Sequence, residues 1–325
     1  MRPVLSVVLP VYDEGENLEQ LLARLLPVAQ RTASGAFEIL FVDDGSRDGS
    51  ARLLDSFTAR DARISVVHLS RNFGHQAALQ AGLDEAAGEA VVLMDADLQD
   101  PPELIEQLAE RWRAGHDVVY AVRRQRKEGM LKRAAYAVFY RTMRAIAEID
   151  LPADAGDFCL LDRRVVDTLV GLRERNRFLR GLRSWVGFRQ TGVEYERDAR
   201  AAGAPKYTLS KLIRLALSGY VGFSALPLRA AAWLGFAASA IGFTLALWAL
   251  VTKVMGIPSP WGWASTVAVV LFVGGAQLLV LGVIGEYLSR VYDEVRQRPI
   301  YIVSSRAGAE RRAETRPQAT RVADR

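Results

Sequence analysis

The segment of this chain best equipped for chemistry is Asp95-Ala96-Asp97-Leu98-Gln99-Asp100. In extended chain, residues two apart point the same way. Asp95 and Asp97 can therefore present carboxylates to one point while Gln99 adds a carbonyl. An all-oxygen set suits Mg²⁺ or Mn²⁺, ions that usually share their coordination with substrate phosphates. A solvated acidic turn ahead of a helix would use the same residues. The position directly after an apolar run, and before Gln99-Asp100-Pro101-Pro102-Glu103, favours the ion.

Two further acidic clusters follow apolar runs. In Val42-Asp43-Asp44-Gly45-Ser46-Arg47-Asp48-Gly49-Ser50, Asp43 and Asp44 can accept from a base N–H or ribose hydroxyls, while Asp48 and Ser50 are read as caps of the next helix. In Pro10-Val11-Tyr12-Asp13-Glu14, Tyr12 can flank a base. A fourth cluster is basic: residues 123–144 hold eight cations, among them Arg123, Arg126 and Arg133, against the single acid Glu128. These overlap apolar residues at helical spacing from Met130 to Met143, a pattern that suits a helix lying on anionic headgroups and equally an ordinary solvated helix face.

The elements that must position these clusters alternate. Leu5–Val11, Glu38–Val42, Ile64–Leu69, Ala90–Met94 and Asp117–Ala121 read as short buried strands. Asn17–Gln30, Ser50–Arg60, His75–Ala87 and Pro102–Ala114 read as helices between them. Such alternation predicts an α/β fold, Rossmann-like with a mostly parallel sheet, and ligands beyond the carboxyl ends of its strands. All four clusters fall there.

The 325 residues, half of them hydrophobic, can build a large core. A single cysteine, Cys159, excludes an intramolecular disulfide framework, and the three histidines lack metal-ligand spacing. The net charge of +5 resides in the last 36 residues and the segment before them; residues 1–228 balance to zero, which does not indicate nucleic-acid binding. No charge interrupts Ala230–Thr252 or Val254–Gly285, and about 20 apolar residues suffice to cross a bilayer. The expected organisation is a catalytic domain over 1–228 with interface helices at about 130–147 and 208–226. A two-span hairpin over 229–288 follows, crossing at about 230–251 and 264–285. A basic tail over 289–325, disordered after about 304, completes the chain, and its arginines place tail and catalytic domain in the cytoplasm. The short apolar run after Met1-Arg2-Pro3 reads as a first strand, not a signal peptide.

Taken in order, L-P-V-Y-D-E, V-D-D-G-S-x-D-G-S, N-F-G-H-Q-A-A and D-A-D-L-Q-D-P-P-E resemble the family 2 glycosyltransferases of GT-A fold. With two C-terminal spans, the chain resembles more narrowly the dolichyl-phosphate-mannose synthase and bacterial polyprenyl-phosphate glycosyltransferase group, over roughly residues 3–300. The resemblance implies that Pro10, Tyr12, Glu14, Asp43, Asp44 and Asp95 hold the nucleotide. It implies that Asp95, Asp97 and Gln99 hold Mg²⁺ or Mn²⁺ on the diphosphate, Asp97 closest. It makes Arg123, Arg126, Arg133, Lys206 and Tyr207 the phosphate and acceptor contacts, the last two in a G-x-S-K-Y-like loop with Pro205 in place of Ser. Asp157, in Ala155-Gly156-Asp157-Phe158, becomes the candidate base; a lipid phosphate, with a second pKa near 6, needs little deprotonation, so orienting the acceptor is the alternative role. Phe178, Trp185 and Phe188 are expected to pack in the core.

The implied partners are a nucleotide sugar (UDP-linked before GDP-linked), polyprenyl phosphate, the inner-membrane bilayer and further copies of the chain in a dimer or tetramer, to which Arg298–Val303 could add a strand. The implied reaction is inverting sugar transfer. Rival readings are a processive polysaccharide synthase, whose Q-x-x-R-W signature is not matched by Gln107-Leu-Ala-Glu-Arg111-Trp112, and a non-catalytic membrane scaffold.

Overall fold

The computed structural model describes residues 3–34, 36–123, 155–172, 174–175, 177–195, 226–256 and 263–308. Arg126, Arg133, Lys206, Tyr207 and both expected interface helices lie outside the described residues.

Strands β1 (Leu5–Val11), β2 (Phe37–Asp43), β3 (Ile64–Leu69) and β4 (Ala90–Leu93) are completely buried, as their predominantly apolar runs favour. They pair in parallel in the order β4-β1-β2-β3. Between them run α1 (Gly15–Thr32), α2 (Ser50–Arg60) and α3 (His75–Glu85); α4 (Leu104–Arg113) precedes β5 (Val118–Arg123). Side chains alternate along each strand. In β1, Val7, Leu9 and Val11 join the core under α1, α2 and α4, and Val8 joins the core under α3. Helix α3 lies so close to β1 that a Cβ on Gly82 would stand 2.1 Å from Val8 Cγ1.

The sheet then departs from simple alternation. β6 (Ala155–Asp162) inserts antiparallel between β4 and β5, and β7 (Gln190–Tyr195) pairs in parallel with β5 at the edge. Between β6 and β7 run α5 (Arg163–Gly171) and the short α6 (Leu179–Trp185). Trp185 and Phe188 are exposed at 58% and 40%, contrary to the expected core packing. The seven-residue α6 buries Leu179, Leu182 and Arg183, which leaves Trp185 at its exposed end.

A separate compact unit holds α7 (Leu226–Val254) and α8 (Trp263–Val295), which pack on one another. Both are long and apolar enough to cross a bilayer, and Trp233, Phe236, Phe243 and Leu278 stand exposed on them. Helix α8 runs ten residues past the stretch read as a span, carrying Glu286 and Arg290 as an ion pair at 3.7 Å.

The segment after α8 corrects one expectation. Residues 299–308 belong with the sheet, and β8 (Val303–Ala307) pairs antiparallel with β3 of the same chain. The chain is therefore ordered through the end of β8 at Ala307, where disorder was expected from about 304. Tyr301 donates to Asp84 at 2.7 Å and Arg306 to Glu85, so polar side chains fasten a segment whose low hydrophobicity suggested disorder.

Candidate active site

The carboxyl ends of β1, β2 and β4 gather the first three clusters. Gly45 makes this possible: it has φ +71°, and a Cβ there would lie 2.6 Å from the Arg71 carbonyl carbon. The turn after β2 can thus press against the loop after β3. Asp44, fully buried, accepts from the backbone N–H groups of Phe73 and Gly74 at 2.7 and 2.9 Å, holding the N-F-G-H loop. Burial and the neighbouring Asp43 raise its pKa despite those bonds. Asp43 accepts from the Ser46 N–H at 2.9 Å and contacts His68 Nδ1 at 2.9 Å; burial would raise its pKa, but these bonds lower it.

The loop after β1 is clipped to the same turn. Asp13, at φ 53°, accepts from Arg47 N at 2.7 Å, and its own N–H donates to Ser46 Oγ at 3.1 Å. Glu14 N donates to Ser50 Oγ and Gly15 N to Asp48 Oδ2. Contrary to the capping expected of Asp48 and Ser50, Gly49 occupies the cap of α2 and both side chains fasten the β1 loop, although Asp48 also accepts from the first helical N–H, that of Ser50. Pro10 is buried opposite Val42, whereas Tyr12 is 38% exposed, free to lie against a planar ring.

Beyond β4, the chain turns through Leu98 at φ 58°, a strained conformation of the sort that concentrates at functional sites. Asp97 accepts from Gln99 N at 3.1 Å, and Gln99 and Asp100 are buried. Tyr195 of β7 donates its hydroxyl to Asp100 and accepts from Arg123 Nε at 3.3 Å. Burial and Asp100 push the Tyr195 hydroxyl up to about 12.

Asp157, on β6, meets this cluster from the other side. Arg180 of α6 donates Nε and Nη2 to its two oxygens at 2.7 Å each. His75, first residue of α3, stands 3.5 Å from Asp157 and 3.6 Å from Asp95. Burial alone would raise Asp157, but Arg180 and His75 hold it far below the usual carboxylate range. The imidazole of His75 is raised, burial being outweighed by Asp157 and Asp95. Asp95 is pushed up to about 6 by burial and by Asp157, Asp100 and Asp97, although His75 opposes this. A carboxylate so crowded by like charge is what a divalent cation would relieve. Among the described residues, no three acidic, His or Cys side chains form a closed metal cage. An open set fits Mg²⁺ or Mn²⁺, which bind through one or two carboxylates and complete their shell with phosphate oxygens and water.

The expected residues Pro10, Tyr12, Glu14, Asp43, Asp44, Asp95, Asp97, Gln99, Arg123 and Asp157 thus all lie in the described site loops or on strands bordering them. His75, Asp100, Arg180 and Tyr195 join the site although the motifs assign them no role. The N-F-G-H motif contained a signal for His75; nothing local marked Arg180, whose partner lies 23 residues away.

The model of the family described as Glycosyl transferase family 2 matches residues 6–170. The chain belongs to that family. This glycosyltransferase is 46% identical over 314 residues to a Bacillus subtilis protein named uncharacterized glycosyltransferase YkcC, spanning 96% of this chain and 97% of the relative. It is 40% identical over 301 residues to the SfII prophage-derived bactoprenol glucosyl transferase of Shigella flexneri, spanning 92% and 97%. Among solved structures, it is similar to a mannosyltransferase of Pyrobaculum calidifontis in complex with GDP-Man and Mn²⁺ (18% identity, 89% and 88% covered, TM-score 0.44).

Proposed function

We propose that this glycosyltransferase moves a sugar from a nucleotide diphosphate, UDP foremost, onto polyprenyl phosphate at the cytoplasmic face of the inner membrane, with inversion. The observation that carries this reading is the extent of the likeness to the bactoprenol glucosyl transferase: it covers 92% of this chain, so it takes in the glycosyltransferase site together with the two apolar helices. A water-soluble acceptor would need no such helices. Holding the enzyme at the bilayer raises its effective concentration toward a lipid acceptor.

Pro10, Tyr12, Glu14, Asp43 and Asp44 form the nucleoside side of the site. Asp97, Asp95 and Gln99 would hold the divalent ion, whose chemistry is to offset charge developing on the departing diphosphate. The acceptor phosphate oxygen forms a bond to the anomeric carbon as the bond to the diphosphate oxygen breaks on the opposite face, releasing the nucleoside diphosphate. A phosphate with a second pKa near 6 is largely dianionic at neutral pH, so no proton need be removed from it. Asp157, with both oxygens bonded to Arg180, is then an orienting residue: it holds that guanidinium in a fixed position for the acceptor.

The test is transfer of radiolabelled sugar from UDP- and GDP-sugars into chloroform-extractable polyprenyl phosphate, with and without EDTA. Label in the lipid that disappears with EDTA and returns with Mg²⁺ or Mn²⁺ is expected. Label that stays in water-soluble product would overturn the acceptor assignment, and equal incorporation in EDTA would overturn the metal role.

A further inference from the structure

On the side of Asp43 away from Asp95, a polar pocket of about 510 Å³ opens between the turn after β2, the end of β3 and β8. Arg47, Asp55, His68, Arg71, Ser304 and Ser305 are among its lining residues. The last two belong to the strand that follows the apolar helices, with seven residues separating Val295 from Val303.

Their presence there has a local cause. Ser305 pairs with His68 and Val303 with Leu69, so Ser304 is one residue more than β3 can match. A bulge of this kind leaves consecutive side chains on one side of the strand instead of opposite sides, and both serines border the pocket. The Ser304 hydroxyl donates to the His68 carbonyl at 3.0 Å, and Ser70 N donates to the Ile302 carbonyl at 2.8 Å, locking the bulge in place. One wall of the pocket thus offers an acceptor, the Asp43 carboxylate, and the others offer guanidinium and hydroxyl donors. That is the complement of a nucleobase edge with an N–H beside carbonyl oxygens. A bare phosphate would meet the carboxylates of Asp43 and Asp55 in the same wall.

We propose that the bulged strand β8 is a specificity-determining wall of the donor site, with Ser304 and Ser305 bordering the nucleobase that Asp43 receives. This rests on the nucleotide-sugar donor proposed above. The segment beyond the membrane helices then shapes donor binding as well as closing the sheet edge.

The experiment uses the full-length enzyme in detergent carrying Ser305→Cys, a near-isosteric change. The native Cys159 is buried and is the sole other thiol, so a methanethiosulfonate reagent reports position 305. Nucleotide binding to the unmodified enzyme is measured first by calorimetry with UDP and with GDP in the presence of Mg²⁺. At one hundred times the Kd so obtained, the bound nucleotide is expected to slow labelling by about 100-fold, in proportion to occupancy. Inorganic tripolyphosphate should not slow it. The adduct should raise the donor KM by about 10-fold or more with kcat at saturating donor unchanged, the pattern of lost uniform binding. Labelling at the same rate with and without a nucleotide that the unmodified enzyme binds, together with an unchanged KM of the adduct, would overturn the role of β8. Binding of neither nucleotide to the unmodified enzyme would overturn the donor reading itself, and the inference with it.

Discussion

If Asp157 acts by aiming Arg180, removing either side chain should do the same damage, and removing both should do little more. The pair has two charge-assisted hydrogen bonds of 2.7 Å, and each such bond contributes about 1.5–3 kcal/mol. Arg180 is 35% exposed, so water screens the pair and about 2 kcal/mol is a fair total. Spent on alignment in the transition state, that is about 30-fold in kcat/KM. Asp157→Asn is therefore expected to lose about 30-fold, Arg180→Gln at least as much, and the double variant no more than Arg180→Gln alone. The assay is labelled-sugar transfer to polyprenyl phosphate at subsaturating donor, across a pH series. The acidic limb of the pH–rate profile should keep its shape in Asp157→Asn. Multiplying losses, or an acidic limb that vanishes with Asp157, would show that the carboxylate removes a proton and that the orienting role is wrong.

Other expectations follow from neighbouring groups. Asp97→Asn should cost about 100-fold in kcat, the usual loss when one stabilising contact to developing charge is removed, and excess Mn²⁺ should restore part of it; full activity at low metal would contradict a ligand role. His68 lies between Asp43 and Asp55, at 2.9 and 3.0 Å; the Asp43 bond raises its pKa, burial opposes, and Asp55 adds to the rise. A raised histidine stabilises fully below its unfolded value of about 6.5 and loses that contribution as pH climbs through the folded value. The gap in thermal unfolding between the unmodified chain and His68→Gln should therefore shrink as pH rises above about 6.5, and a gap that widens would refute the pairing. Gly82→Ala should destabilise by about 1–3 kcal/mol in denaturant unfolding through the collision with Val8, and adding Val8→Ala should recover part of the loss. Additive destabilisation would place the strain elsewhere.

Strands Leu5–Val11 and Ile64–Leu69 and helix Ser50–Arg60 have the bounds read from periodicity alone, because buried parallel strands and amphipathic helices leave a dense local signal. β6, inside the sheet, offers only the short apolar run Phe158–Leu161, and β8, at its edge, offers none. β6 was read as an acceptor motif, and β8, the polar run Val-Ser-Ser-Arg-Ala, as the start of a disordered tail. A strand at a sheet edge is held by backbone pairing that any sequence can supply, and its polarity conceals it.

The amino-acid order by itself determined the acid-rich loops at the ends of β1, β2 and β4, the two apolar helices and the family, since each depends on residue types within a short window. Tertiary structure alone decided what the acids do. It set His75 between Asp95 and Asp157, closed Arg180 on Asp157, gave Asp44 to the N-F-G-H loop and brought Ser304 and Ser305 beside His68. Electrostatic and hydrogen-bond energies depend on distances of a few ångströms between residues far apart in the chain, and only the folded backbone sets those distances.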